Sequence, residues 1–401
     1  MDFRLTERQE ELKKTFEAFF EESMKDAPPI FLSNPAGAIF DDDEGWAFHR
    51  QMQKRLGEKG WLSLAWPKEY GGSEASIIDQ VVFNEAREKI GCPGVDPMGL
   101  GMFAPTLLVA GSEEQKKRLL PPIARGDVHY CQGWSEPDAG SDLANLTTVA
   151  IKDGDEYIVN GQKTWTTAAH RADSMFLLAR TDPDSRRSKG LSMFHIKMDL
   201  PGIEVRPIYL MNGSHDFNDV FFKDVRIRAE DLIGGEGNGW SVTMNTMNFE
   251  RSGMGFFSMG MRMLEKIIEY AKTHKRGGKT LSENPIIRQK IAKMHTRFQS
   301  GMAMALRVAC MQEEGGLALA AAVASGSKIL GTELMKQVYT LGTEVAGLYG
   351  KIDDSSWAPL GGLTASFQHA PGPAIAGGSN EIQRSIIAWM GLGLPRYKLQ
   401  K

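Results

Sequence analysis

CQGWSEPDAGS, residues 131–141, and GQKTWTT, residues 161–167, are the two stretches on which the reading of the chain turns. The first crowds two hydroxyls (Ser135, Ser141), a carboxylate (Glu136) and two small residues (Ala139, Gly140) into a few positions. Pro137, Asp138 and Gly140 forbid a regular helix, so the segment reads as a shaped turn. Such a turn offers backbone N–H groups and short hydroxyls to something polar and flat. In the second stretch Thr164, Trp165, Thr166 and Thr167 alternate bulky and polar groups in the manner of a strand. An indole beside several hydroxyls suits the face and edge of a planar heteroaromatic ring. A tryptophan in a core strand beside an ordinary turn accounts for the same residues equally well.

Working outward, residues 1 to about 125 read as helical. Thr6 with Gln9 is a capping-box start, followed by the stripe Leu12, Phe16, Phe19 and Phe20. Further helices are expected near 43–59, 75–89, 97–110 and 113–124, the last capped by Ser112 and Gln115. GWLSLAWPKEYGG is a turn with buried aromatics. From about Val128 to Ile233 the period becomes alternating. EYIVNGQKTWTT, SMFLLAR, GLSMFHIK, IEVRPIYL and NDVFFKDVRI read as short strands. Past GGEGNGW the helical period returns in four stretches, 240–274, 284–314, 316–350 and about 355–390. The expected architecture is α+β: an N-terminal helical domain (1–126), a barrel- or sandwich-like middle β-domain (127–238) and a C-terminal four-helix bundle (239–401). GGEGNG lacks the G-K-[ST] of a phosphate loop and reads as a joining turn.

Composition narrows the function. The chain has 401 residues, 42% apolar and 24% charged, which is ordinary for a globular protein. A net charge of −3 gives nucleic-acid binding no electrostatic support. Three cysteines (Cys92, Cys131, Cys310) in no metal-ligand spacing argue against zinc or a disulfide framework. MDFRLTERQEELKK carries no apolar signal segment, and the run Leu317–Ala324 is too short to span a bilayer. A reducing, cytoplasmic setting is expected. The eight histidines, among them His170, His215 and His369, show no partnered carboxylate and read as structural or surface groups.

SEPDAGSD with GQKTWTT resembles the flavin-binding signature of the acyl-CoA dehydrogenase family. GGSNEIQRSIIA, Gly377 to Ala388, resembles that family's second signature, and the order of segments between them matches over nearly the whole chain. The resemblance implies α,β-dehydrogenation of an acyl-CoA thioester to the trans-2-enoyl-CoA, with FAD as cofactor. A carboxylate takes the α-proton, a hydride leaves Cβ for flavin N5, and electrons pass to electron-transfer flavoprotein.

Many relatives carry the base just before the Gly-Ser/Thr of the second signature, where this chain has Gly377. A minority place it on the first long C-terminal helix, where this chain has Glu250, with Met247, Gly253 and Met254 as helical neighbours. A structural ion pair of Glu250 with Arg251 is the plain alternative. Gly377 keeps a backbone N–H for the thioester carbonyl and leaves space for a bulky acyl group. The resemblance carries Gln132, Trp134, Ser135, Gly140, Ser141, Trp165, Thr166, Thr167, Ser379 and Glu381 to the FAD. Ser135 falls at the pyrimidine edge, Trp165 against the isoalloxazine and Thr167 near N5. Ser141, Met247, Arg251, Gly377 and Gly378 fall to the acyl-CoA. Arg276 matches an arginine that reaches a neighbouring subunit's FAD, which implies an oligomer, a homotetramer or a heterotetramer. Glu381, Ala346 and Trp389 depart from the commoner residues and put adenine and CoA contacts in question. An oxygen-using acyl-CoA oxidase and a partner subunit with an incomplete site are the competing readings.

Overall fold

The computed structural model describes residues 4–33, 39–249, 254–313, 317–352 and 360–395. Helices lead the chain: α1 (Glu7–Ser23), α2 (Ile30–Ser33), α3 (Asp43–Glu58), α4 (Ile77–Ile90), α5 (Ala104–Ala110) and α6 (Glu113–Ala124). Both expected capping boxes form. Thr6 Oγ1 accepts from the Gln9 N–H at 3.3 Å and Ser112 Oγ from the Gln115 N–H at 3.2 Å, each reciprocated by the glutamine side chain. The helix expected over 97–110 is divided. Gly99–Phe103 forms a wider π-type turn before α5. Pro105 has no N–H to return to Gly101, so the regular ladder cannot run through.

The strands follow: β1 (Tyr130–Gly133), β2 (Val149–Asp153), β3 (Glu156–Thr167), β4 (Ser174–Arg180), β5 (Leu191–Lys197), β6 (Ile203–Ile208), β7 (Phe217–Arg228) and β8 (Leu232–Ile233). Two of these differ from expectation. Cys131, Gln132 and Gly133 lie in β1 and not in the turn, and β2 carries too little alternation to be read in advance. The chain closes with α7 (Gly239–Phe249), α8 (Met254–Thr273), the hairpin β9 (Lys275–Arg276) and β10 (Lys279–Thr280), then α9 (Pro285–Glu313), α10 (Leu317–Ala346), α11 (Leu363–His369), α12 (Gly372–Ile375) and α13 (Asn380–Ile386). The helix expected over about 355–390 is therefore three short ones. Pro371 interrupts the backbone ladder, and Gly377 and Gly378 take φ of 62° and 80°, outside helical space.

The folded chain forms two compact units. One comprises residues 39–74 and 93–250. Its eight-stranded sheet runs β6-β7-β3-β2-β4-β5-β8, with β1 pairing parallel to β4. All seven residues of β4 are buried. Tyr157, Val159, Met175, Leu177, Phe194 and Val220 form the core on one face. The other unit comprises residues 1–38, 75–92 and 251–401 and is helical. Phe257, Leu264, Ile267, Phe298, Leu334 and Val338 fill its core, and α4 contributes Val81. Each such apolar side chain contributes about 1.5–3 kcal/mol by leaving water. No described helix is long and apolar enough to cross a membrane.

Candidate active site

In the sheet unit, β3 and the turn after β1 are stitched together. The Thr164 N–H donates to Ser135 O at 2.8 Å, and Lys163 Nζ donates to Trp134 O at 3.0 Å. Glu136 and Ala139 exchange backbone hydrogen bonds across Pro137-Asp138, which gives the turn its shape. The Glu136 carboxylate points inward. It accepts from Lys163 Nζ at 2.7 Å, from the Thr147 N–H and hydroxyl at 2.6 and 2.8 Å, and from the Thr148 N–H at 2.9 Å. Lys163 is wholly buried and Glu136 nearly so. Burial alone would push the Glu136 carboxyl up. The charge and hydrogen bond of Lys163, with Thr148 and Thr147, outweigh it and hold the group down to about 2. The same burial lowers the Lys163 ammonium. The carboxylate, with its three further donors, is the member held firmly charged.

Next to this clamp the backbone is strained. β3 and β7 lose register between Lys163 and Thr166, so Thr164 and Trp165 oppose one residue of β7. Trp165 sits at the bulge with φ of 57°, a left-handed conformation that is an outlier for a bulky residue. Its indole is 57% exposed and stands edge-on to Phe217, at 5.9 Å between ring centres. An exposed indole on a strained bulge is a poor arrangement for a core strand and a good one for a ring-binding platform. Ser135 and Thr167 are half-buried close by in sequence and hydrogen bonding. Trp134 Nε1 and Thr166 Oγ1 are buried without a hydrogen-bond partner. A planar ring with polar edges fits this set of donors. Gly140 and Ser141 are exposed, while Gln132 is half-buried in β1.

The second signature lies in the helical unit. The carbonyl of Gly377 accepts from Gln383 Nε2 at 2.8 Å, and that of Gly378 from Lys328 Nζ at 3.0 Å. Ser379 caps α13, its hydroxyl accepting from the Ile382 N–H at 3.3 Å. Glu381 is exposed, 3.5 Å from Arg384. Its carboxyl is lowered by its own backbone N–H at the helix start and by Ser379. Arg276 is exposed at the β9–β10 hairpin and donates to Val345 O at 3.3 Å. Met247 is half-buried on α7, whereas Glu250 and Arg251 lie outside the described residues.

The histidines need a correction. His195 Nδ1 lies 3.4 Å from Asp231, which also accepts from Arg118 at 2.6 Å, and His129 Nε2 lies 3.8 Å from Asp96, so at least two histidines do have a carboxylate neighbour. Burial would raise the Asp231 carboxyl, but His195 and then Arg118 bring it down. His170 and His215 stack at 3.9 Å. Among the described residues no cluster of three or more metal-ligand side chains exists. Two residues escaped the sequence reading altogether. Lys328 sits in the small-residue run ASGSKILG, where a lone lysine on an apolar helix was the available signal, and Gln383 lies within GGSNEIQRSIIA, where its place in the second signature was the signal.

Comparison with known proteins is consistent with this geometry. Residues 6–127, 131–225 and 237–391 match the N-terminal, middle and C-terminal domains of acyl-CoA dehydrogenases. The chain is 33% identical to acyl-CoA dehydrogenase FadE26 of Mycobacterium tuberculosis, over 99% of each chain. Among solved structures it is similar to the ChsE4–ChsE5 complex of M. tuberculosis (TM-score 0.86, 33% identity, covering 99% of this chain and 100% of that one). It is also similar to the Tcur3481–Tcur3483 steroid ACAD (TM-score 0.86, 31% identity, 99% and 100%). A chain that matches all three domain models, in the α, β, α order seen here, is an acyl-CoA-handling oxidoreductase by class. The chain belongs to the acyl-CoA dehydrogenase family.

Proposed function

We propose that the protein is an FAD-dependent acyl-CoA dehydrogenase that converts an acyl-CoA thioester to its trans-2-enoyl-CoA. The observation that carries this reading is the exposed indole of Trp165 on its strained bulge, hydrogen-bonded through Thr164 to the Ser135 turn. A strained aromatic left facing solvent is retained where a ring covers it. Bound FAD supplies the two-electron acceptor for the hydride lost from Cβ. Trp165 offers a face to the isoalloxazine, Ser135 and Thr167 offer hydroxyls to its edges, Ser379 and Glu381 serve the rest of the cofactor, and Arg276 reaches the FAD of a neighbouring subunit.

Glu250, in the sequence MNFERSGMG, takes the α-proton, a role that a carboxylate with its pKa raised towards the working pH can fill. The backbone N–H of Gly377 receives the thioester carbonyl, which stabilises the developing enolate. Ser141, Met247 and Arg251 complete the acyl-CoA contacts, and electrons pass on to electron-transfer flavoprotein. The likeness to a ChsE4–ChsE5 complex and to a steroid ACAD supports a heteromeric assembly and a bulky acyl group, in keeping with the missing side chain at Gly377.

Anaerobic titration with a panel of straight, branched and cyclic acyl-CoA esters tests the reaction. At least one ester should bleach the flavin and sustain ferrocenium reduction. Glu250→Gln should retain FAD and lose about 10²–10⁴-fold in turnover. A colourless protein after reconstitution with FAD, or full activity in Glu250→Gln, would contradict the reading.

A further inference from the structure

We propose that His170, Asn218 and His215 form a proton-sensitive latch behind the ring platform. Asn218 is the positioning residue for the Thr166–Thr167 peptide, and His170 keeps it in place only while neutral. The inference rests on the flavin reading above and deepens it by adding a control on the same site.

The peptide is one that needs holding. Trp165 and Ala168, which flank it, both take left-handed φ, 57° and 58°, and neither is glycine. Such backbone persists only where its surroundings over-determine it. Asn218, opposite Thr166 on β7, is fully buried and donates from Nδ2 to Thr166 O at 3.1 Å. The same Nδ2 donates to His170 Nδ1 at 3.1 Å, and Asn218 Oδ1 accepts from His215 Nε2 at 2.7 Å. His170 Nε2 donates in turn to Phe40 O at 3.1 Å. The two imidazoles stack with their centres 3.9 Å apart.

Only one protonation state of His170 satisfies this set. Thr166 O can only accept, so the Asn218 atom beside it is the amide nitrogen and the amide cannot be turned over. An amide nitrogen only donates, so His170 Nδ1 must be bare. Phe40 O can only accept, so His170 Nε2 carries the hydrogen. His170 is thereby fixed from both sides as the neutral Nε2–H tautomer. A second proton would go to Nδ1 and set N–H against N–H, and Asn218 could yield only by letting go of Thr166 O. His215 is under no such constraint, because its Nε2–H bond to Asn218 is kept in either state. Burial lowers the His170 imidazole, and the facing His215 and Arg171 add to this against the pull of the Phe40 carbonyl. Of the other groups around the pair, Asp41 accepts from the His215 N–H at 2.7 Å and Asp43 from Arg171 at 2.7 Å. Asp216 follows His215 in the chain, and the Tyr209 ring stands 5.5 Å from His215. An imidazole in water titrates near about 6.5, so opening the latch becomes up to about tenfold easier between pH 7.5 and 5.5.

The test follows release of FAD from the loaded protein at pH 7.5 and 5.5 by the fluorescence of the freed cofactor. Release through the opened latch should be about three- to tenfold faster at pH 5.5 in the wild type. His170→Asn puts an amide oxygen where Nδ1 stood, so it still accepts from Asn218 and does not titrate. Its ratio between the two pH values should fall below twofold, whatever its rate at pH 7.5. Asn218→Leu, of similar volume, frees Thr166 O, and its release should be fast at both pH values. A wild-type ratio under twofold, or one matched by His170→Asn, would overturn the proposal and leave a structural role. Urea unfolding of the same proteins without FAD gives an independent reading. The folded-state imidazole is lowered, so its contribution is present above the ordinary value and lost as pH falls from there towards the folded one. Between pH 7.5 and 5.5 the wild-type folding constant should therefore drop up to about tenfold more than that of His170→Asn. Equal drops would overturn the latch whether or not FAD binds. Wild-type protein that takes up no FAD at pH 7.5 would instead remove the flavin reading, and the urea comparison would then decide the latch alone.

Discussion

Lys163→Met keeps most of the side-chain volume and removes the cation that faces Glu136 at 2.7 Å. Glu136 is 4% exposed, so the carboxylate cannot regain water without opening the turn. Breaking a buried pair by removing one partner costs about 3–5 kcal/mol. The three contacts from Thr147 and Thr148 survive and place the expected loss at the lower end, about 3 kcal/mol. At about 2–4 °C per kcal/mol for a unit of this size, the melting temperature should fall by about 6–12 °C. Urea unfolding followed by tryptophan fluorescence reads the free energy. The double change Lys163→Met with Glu136→Met should regain part of it, because no charge is then stranded. FAD retention should fall with stability in the single variant, since Lys163 also holds Trp134 O. A single-variant loss under about 1 kcal/mol would refute the clamp, because that is the value of an ordinary exposed pair.

Three further outcomes are expected. Glu136 has a folded-state pKa lowered to about 2, so its contribution is present above the ordinary carboxylate value and lost as pH falls towards 2; Glu136→Gln should flatten the acid limb of a urea-midpoint profile taken from pH 5 to 3. Trp165→Gly should stabilise the apoprotein by about 1 kcal/mol by relieving the left-handed strain, while weakening FAD retention; unchanged FAD content would dissociate the indole from the cofactor. Gly378→Ala would place a Cβ 2.9 Å from Gln383 Nε2 at φ of 80°, and should cost about 1–3 kcal/mol in thermal unfolding.

Much of this architecture is legible in local pattern. The α, β, α order follows from the change of period, and the capping boxes at Thr6 and Ser112 mark helix starts to the residue. β1 was hidden because CQG carries neither alternation nor β-branched residues, and its pairing with β4 is long-range. The broken helix after residue 360 was hidden because an apolar run tolerates a helical period until Pro371 and Gly377 override it. Within the site, SEPDAGS and GQKTWTT mark the residues proposed to meet a ring. They do not show that Trp165 takes a left-handed conformation, because the bulge arises from the register with β7. Lys328 and Gln383 were illegible for the same reason. Most of the partners described for them are main-chain carbonyls, which every residue carries.

The division of the chain into two units has a consequence for biosynthesis. Residues 93–250 belong to one unit, while the other draws its members from both sides of them. During synthesis α1 and α4 emerge early and can pair at once, Phe16 and Phe20 against Phe83. The remaining face of α4, with Val81, finds its partners only in α8 and beyond. At ribosomal speeds of about 5–20 residues per second that wait is roughly 10–30 s. The sheet unit can be complete while the earliest helices still carry an uncovered apolar face. The nascent chain therefore spends its longest vulnerable interval near its beginning, and a ribosome stalled before residue 254 would display that face to chaperones.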